Sequence, residues 1–441
     1  MNNIKKSSLN RFIRTDTSVS IDSSSLAAIQ SALLRTGAFD TVVARTTPDG
    51  MGGKTLSFFF NERRKYQPGF DGASAGLSMF GETQLWGSIS PAVEIRDVCG
   101  RPQALSLVVS LPFMYGATLH WREYGLPFRT MTTGIVATAR SAPYINSRYY
   151  SKSATGTLYI DNYFTPRLSA RFSGTDEIAR TWKIRHNWES GRNAVLTMEP
   201  EKIADQSTTI YPKTEEALSW AIAFNLDLRD NSLYTTKGTQ TYIEGRQYFI
   251  SRRGEDSTYK FNQLTASFKA YANPFDRQVA ALHLKAIVRD KFDNINLSHR
   301  LLFHDESVYF MGFSGIGGTN IVFANFEYRF RLFRVDMEAM APELNLSPLL
   351  MRHIKKLSYQ GDLFVFSNNV AYFGRVLPNE VAGVIKNVPF TELGSDDLFN
   401  SAGLGARLIY PKLGHVLTAA IMWGRPEKYS TRLYASASLS F

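Results

Sequence analysis

A chain of 441 residues is longer than a typical single soluble domain, although closed barrels reach this length. Charged residues make up 20% and mean hydropathy is −0.19, and no stretch supplies the ~18 apolar residues of a membrane helix, which excludes a helical membrane protein but not a strand-built one. The net charge of +11 comes from scattered Lys and Arg rather than one basic block, which argues against a nucleic-acid partner, and the single cysteine, Cys99, excludes an internal disulfide.

In chain order, residues 1–18 read as a disordered polar lead. The first twenty residues carry positive charge without an apolar core, unlike a secretory signal. Residues 19–65 read as a small mixed unit. Ser23 to Ser25 can cap a helix with apolar positions Leu26, Ile29, Leu33 and Leu34 and a stop at Gly37. Strands are expected at Thr41–Thr46 and Thr55–Asn61, joined by the turn-rich PDGMGG.

From 66 to 441 strand-like segments recur between Gly, Pro, Asn and Asp, in a chain whose 13% aromatic content favours strands. They are expected at Gly69–Phe80, Gln84–Ile95, Ala104–Pro112, Gly116–Glu123, Met131–Ala139, Gly156–Tyr163, Arg167–Gly174, Thr181–Trp188 and Ala194–Glu199. Others follow at Glu216–Leu228, Thr239–Ser251, Tyr259–Ala272, Arg277–Asp290, Ile295–His304, Ile321–Arg334, Gly361–Phe373, Gly403–Tyr410, Val416–Trp423 and Thr431–Phe441. Some are halves of one strand. The stretch Asp336 to Tyr359 reads as helical or looped.

The faces of these segments carry the fold class. Leu218, Trp220, Ile222, Phe224, Leu226 and Leu228 alternate with small or polar residues. Val322, Ala324, Phe326, Tyr328, Phe330 and Leu332 alternate with Asn325, Glu327, Arg329 and Arg331. A soluble sandwich would also alternate. Here the strands are long, and their polar faces are small or hydrogen-bonding. A transmembrane strand needs ~9–11 tilted residues with lipid outside and a polar lumen inside, and such strands must close. The fold class expected is all-β: a transmembrane antiparallel β-barrel over 66–441, with the small α/β unit ahead of it.

Leu218–Leu228 runs into a charged knot, LDLRDNSLYTTKGTQ. This run resembles the D-x-R-D-N-x-L-x-P-x-x-G segment of the outer-membrane assembly-factor superfamily, which includes BamA and the central barrel of the mitochondrial sorting and assembly machinery. Asp227, Arg229, Asp230, Asn231, Leu233 and Gly238 match, and Thr235 stands where proline is usual. TGAFDTVVARTTPDGMGGKTLSFFFNER resembles the end of a POTRA domain. IRDVCGRPQALSLVVSLPF resembles the early barrel strands. FSGIGGTNIVFANFEYRFRL resembles the lumen-loop region, with Gly315, Gly317 and Gly318, followed by a strand carrying Glu327 and Arg329. LFVFSNNVAYFG and SAGLGARLIYP fit the closing strands. One departure stands out: the family's lumen loop usually carries an Arg-Gly-aromatic tripeptide, and Gly315-Ile316-Gly317-Gly318-Thr319 has no arginine.

The resemblance implies about sixteen strands and an insertase that folds β-barrel precursors into an outer membrane, with unfolded precursors, accessory subunits and the lipid bilayer as partners. It also implies a lateral gate between first and last strands. Gly69, Gly72 and Gly76 lighten the first strand, and the last, with Leu433, Ser436, Leu439 and Phe441, is rich in Ala and Ser. The alternative is a passive porin-like channel. The ending Tyr434 to Phe441 approximates a barrel-targeting signal. With the basic charge, the single POTRA-like unit and the lack of a secretory signal, it points to the mitochondrial outer membrane, with a bacterial outer membrane as the alternative.

No feature points to an enzyme, a cofactor or a metal. Gly312-Phe313-Ser314-Gly315-Ile316 has Ile where a nucleophile elbow needs glycine. GIGG lacks the Lys-Ser/Thr of a phosphate loop. The seven histidines show no ligand spacing. Asp227, Asp230 and Glu327 are read as ion-pair partners of Arg229 and Arg329 inside a wet barrel.

Overall fold

The structure is a computed structural model. It describes residues 23–35, 39–48, 54–62, 65–78, 84–98, 102–112, 115–126, 128, 130–143, 149–183, 213–231, 234–252, 258–290, 301–302, 317–340, 358–376, 398–410, 415–425 and 430–439. The expected lead 1–18 and the segment Ala194–Glu199 lie outside them.

The first unit is the helix α1 (Ser23–Arg35) and the hairpin β1 (Phe39–Pro48) and β2 (Lys54–Glu62), paired from Pro48↔Lys54 to Phe39↔Glu62. The apolar side of α1 supplies Ile29 and Leu33 to a core with Phe39 and Val42, flanked by Phe58 and Phe60.

The rest is one closed barrel. Its strands are β3 (Tyr66–Ser78), β4 (Gln84–Arg96), β5 (Gln103–Pro112), β6 (Tyr115–Tyr124), β7 (Met131–Pro143), β8 (Tyr149–Tyr163), β9 (Leu168–Lys183) and β10 (Lys213–Asp227). These continue into β11 (Gly238–Arg252), β12 (Thr258–Ala272), β13 (Gln278–Arg289), β14 (Leu301–Leu302), β15 (Gly317–Val335), β16 (Tyr359–Val376), β17 (Leu398–Tyr410), β18 (His415–Arg425) and β19 (Ser430–Leu439). Each pairs antiparallel with its neighbours, and β19 returns to β3. The two-residue β14 continues the β13 side of the β15 ladder, so the wall has sixteen positions.

Of the expected strand Ile295–His304 the described residues include Leu301 and Leu302, which pair with Gly318 and Gly317 just beyond the part of β15 that β13 occupies. Arg167–Gly174 and the start of Thr181–Trp188 prove to be one strand, β9. A four-residue helix, α2 (Met337–Met340), lies in the stretch read as helical or looped.

The side-chain pattern is that of a membrane barrel. Outward Leu218 is 57% exposed, while inward Ser219 beside it is 3% exposed. On β15, outward Phe326 is 47% exposed and inward Glu327 is 3% exposed. A soluble core would reverse these values, because burying apolar area drives folding in water. In a bilayer the outward apolar band is matched to hydrocarbon, and closure leaves no strand edge unpaired in it. Among the described residues no helix is long and apolar enough to cross a membrane.

Inside, polar groups pair across the strands. Hydroxyls meet at Thr118–Thr138 (3.2 Å) and Thr157–Thr175 (3.0 Å). Arg171 grips Asp161 through two bonds of 2.6 and 2.9 Å and stacks over Tyr159. Phe364 and Phe366 lie over Gly405 and Gly403 of the next strand, so closely that a Cβ at either glycine would overlap the ring.

The connections are asymmetric. On the side of the first unit, here called proximal, most are short: 97–102, 125–130, 164–167, 273–277 and 411–414, with 336–358 the long exception. On the distal side they include 184–212 and 377–397. This is the usual arrangement of outer-membrane barrels. The first unit also touches the barrel. Ala104 of β5 and Tyr124 of β6 belong to the same apolar cluster as Ile29, Leu33 and Phe39. Both lie on the inward face at the proximal mouth, since Leu107 and Leu119 point outward on the same strands.

Candidate functional site

Three regions hold the residues singled out from the sequence: the turn between β10 and β11, the inner wall of β15–β17, and the β3–β19 seam.

The turn is a compact knot built by its motif. Asp227, the last residue of β10, takes the Arg229 guanidinium through two bonds of 2.8 and 2.7 Å. Leu228 N–H donates to the Thr239 carbonyl at 2.8 Å, and Asp230 N–H to that of Lys237 at 3.1 Å, closing the hairpin. The Asp230 carboxylate accepts the amides of Asn231 (2.9 Å), Thr236 (3.0 Å) and Lys237 (3.3 Å) and the Thr236 hydroxyl. Asn231 accepts Tyr234 N–H at 3.1 Å. Gly238 sits at φ +104°, where a Cβ would overlap the Leu228 carbonyl oxygen, so the motif glycine is sterically required. Thr235, in place of proline, is buried and donates its hydroxyl to the Asn231 carbonyl at 2.7 Å. Leu233 lies outside the described residues.

Asp230 and Arg229 are among the ionisable groups of the turn that are shifted. Burial pushes the Asp230 carboxyl up, but the hydrogen bonds from Thr236, Lys237 and Asn231 outweigh it and leave the pKa below the ordinary aspartate value. The Arg229 pKa is raised, chiefly by its hydrogen bonds to Asp227.

The wall opposite supplies the second part. Glu327 of β15 is buried and paired with Arg329 on its own strand. Arg407 of β17 adds two bonds to the same carboxylate, at 3.1 and 3.2 Å. One carboxylate thus holds two guanidinium groups, an arrangement that is costly to break from either side. Arg407 stacks over Phe364. Asp362 of β16 is buried and accepts from Gln360 at 2.9 Å.

The sequence reading singled out Glu327 and Arg329. It missed Arg407, although alternation with inward Gly403 and Gly405 marks it as a lumen residue. What it lacked was the register that brings β17 to β15. Gly317 and Gly318, expected in the lumen loop, instead open β15 and pair on both sides, with Leu302 and Leu301 and with Val376 and Arg375. The ladder satisfies their backbone groups, so the strand begins earlier than its apolar pattern does. Gly315 lies outside the described residues.

The seam is closed. β19 pairs with β3 from Arg432↔Ser78 to Ser438↔Gly72. Gly76 faces Tyr434, and Ser74 faces Ser436. Gly69 pairs with Ala92 of β4 but with no residue of β19 among those described. Leu433 and Leu439 lie on β19, paired to Leu77 and His415 respectively. Phe441 lies outside the described residues.

No family profile and no curated protein sequence matches the chain. Solved structures do. A BamA from Haemophilus ducreyi lacking POTRA domains 1–3 aligns at a TM-score of 0.58 and 13% identity, over 99% of this chain and 82% of that one. CdiB from Acinetobacter baumannii aligns at 0.61 and 11%, over 99% and 72%. CdiB from Escherichia coli aligns at 0.56 and 12%, over 98% and 74%. At such identities the likeness speaks for the fold, and this chain shares the closed β-barrel fold of these BamA and CdiB structures.

Proposed function

We propose that the chain is an insertase of an outer membrane, and that it admits β-barrel precursors through the β3–β19 seam. The observation that carries this reading is the seam itself. Among the described residues its ladder covers Gly72–Ser78 of a longer β3, and Gly, Ala and Ser dominate both sides. Small side chains add little cross-strand contact, so backbone hydrogen bonds do most of the holding. Those bonds cannot be left open in hydrocarbon, but an incoming strand can replace them one for one. The work is an exchange of pairing and needs no covalent chemistry. The unit α1–β1–β2, which we read as POTRA-like, sits at the proximal mouth, where unfolded clients and accessory subunits would be met. A passive channel has no evident use for either feature.

The membrane proposed is that of the mitochondrion, in keeping with the net charge of +11. Fractionation of the source cells tests this, and recovery from a bacterial envelope would overturn it.

The gate is tested with Ser74→Cys and Ser436→Cys, which the register places opposite one another. Oxidation should stop insertion of a barrel precursor into proteoliposomes, and reduction should restore it. Undiminished insertion by a fully crosslinked sample would exclude the gate.

A further inference from the structure

The β10–β11 turn reaches well beyond its own strands. Tyr234 lies against two guanidinium groups of β15, with Arg329 at 5.9 Å and Arg331 at 5.7 Å from its ring centre. Arg329 also donates to the Thr235 carbonyl at 3.4 Å. β12 and β13 intervene between the turn and β15 in the wall, and Tyr271 of β12 lies 5.6 Å from the Arg329 guanidinium, so the turn folds inward over these strands to reach β15. Beyond β15 the chain of contacts continues: Arg329 binds Glu327, and Glu327 binds Arg407 of β17.

We propose that Tyr234 and Thr235 form a strut inside the proximal end of the barrel, fixing the β10–β11 wall against β15–β17. The role of the strut rests on the insertase reading. A weakly laddered seam yields first only where the rest of the wall is stiffer than it. A tie from β10–β11 to β15–β17 stiffens that arc, and the docked α1–β1–β2 unit covers β5 and β6. The arc containing β18, β19 and β3 carries neither tie among the described contacts, so deformation is directed to the seam. Tyr234 suits the task because a flat ring accepts cations on its face, and inserting it between two arginines sets a spacing that no flexible side chain would hold. The five hydrogen bonds that the Asp230 and Asn231 side chains accept keep the turn rigid enough to transmit it.

The test uses the full chain in nanodiscs, spin-labelled at the outward-facing pair Leu226→Cys and Leu363→Cys, on β10 and β16, in a background without Cys99. Pulsed electron–electron resonance reads the distance between the two walls and needs no client. Tyr234→Ala should raise the population with a displaced wall distance about tenfold, the factor for losing two cation–π contacts. Tyr234→Phe, which keeps the ring but loses the hydroxyl that bonds Asp362 and Arg331, should shift the distribution less than Tyr234→Ala. If Tyr234→Ala gives no folded barrel, Tyr234→Leu decides by the same distance. An unchanged distribution in a folded Ala or Leu variant overturns the strut, whatever the insertion assay shows. A strut present in a chain that inserts no precursor would count against the insertase reading alone.

Discussion

Asp230 shows how one side chain can set the shape of a turn. Its two oxygens gather three amides and a hydroxyl, donors that the open hairpin would otherwise leave to water. Its pKa is depressed in the folded protein. The stabilisation is therefore fully present above the ordinary aspartate value, about 3.9, and is lost as pH falls through the lower folded value. Protection of the Thr236 and Lys237 amides, relative to their intrinsic exchange rates, should fall on acidification through that window. Asp230→Asn should leave that protection low throughout. Persisting slow exchange in that variant would show that the carboxylate does not organise the turn. The sequence made the motif legible because every requirement is local: Gly238 needs its positive φ, and Asp230 and Asn231 reach donors within seven positions. Tyr234 was not legible, since its partners lie some hundred positions away, on a strand whose register no local pattern encodes.

Within β15, β16 and β17 the decisive unit is a carboxylate between two guanidinium groups. Glu327→Ala would leave Arg329 and Arg407 buried and uncompensated, at a cost of about 3–5 kcal/mol. Arg407→Met should cost less, because Arg329 still covers the carboxylate and a methionine can lie over Phe364. Unfolding in urea, followed by the gel mobility of the folded barrel, should rank wild type above Arg407→Met and Arg407→Met above Glu327→Ala. The reverse order would show that the carboxylate is not the centre of the group. At this scale the sequence told most. Alternation identified the outward and inward faces of β10 and β15, because a period of two leaves no choice once one face is apolar. It misjudged the start of β15, where Gly317 and Gly318 carry no side chain to display a face.

Across the whole molecule, the first unit is bound to the barrel by shared apolar packing. One helix and a two-stranded hairpin bury too little to be stable by themselves. Ala104 and Tyr124 complete their core from the barrel wall. Tyr124→Ala should thus release α1–β1–β2 to protease while leaving the barrel's own gel mobility intact, and loss of the barrel itself would show that the wall depends on the unit. Burial of Tyr124 on a lumen face gave no signal in sequence, where it reads as an ordinary strand-end aromatic.

Sixteen is an even number, and this has a topographic corollary. A strand leaving the proximal rim is matched by one coming back, so the start of β3 and the finish of β19 open onto one compartment. The helix-bearing unit and the closing strand are thus on hand together, whereas β9 ends and β10 begins, like β16 and β17, at the opposite rim.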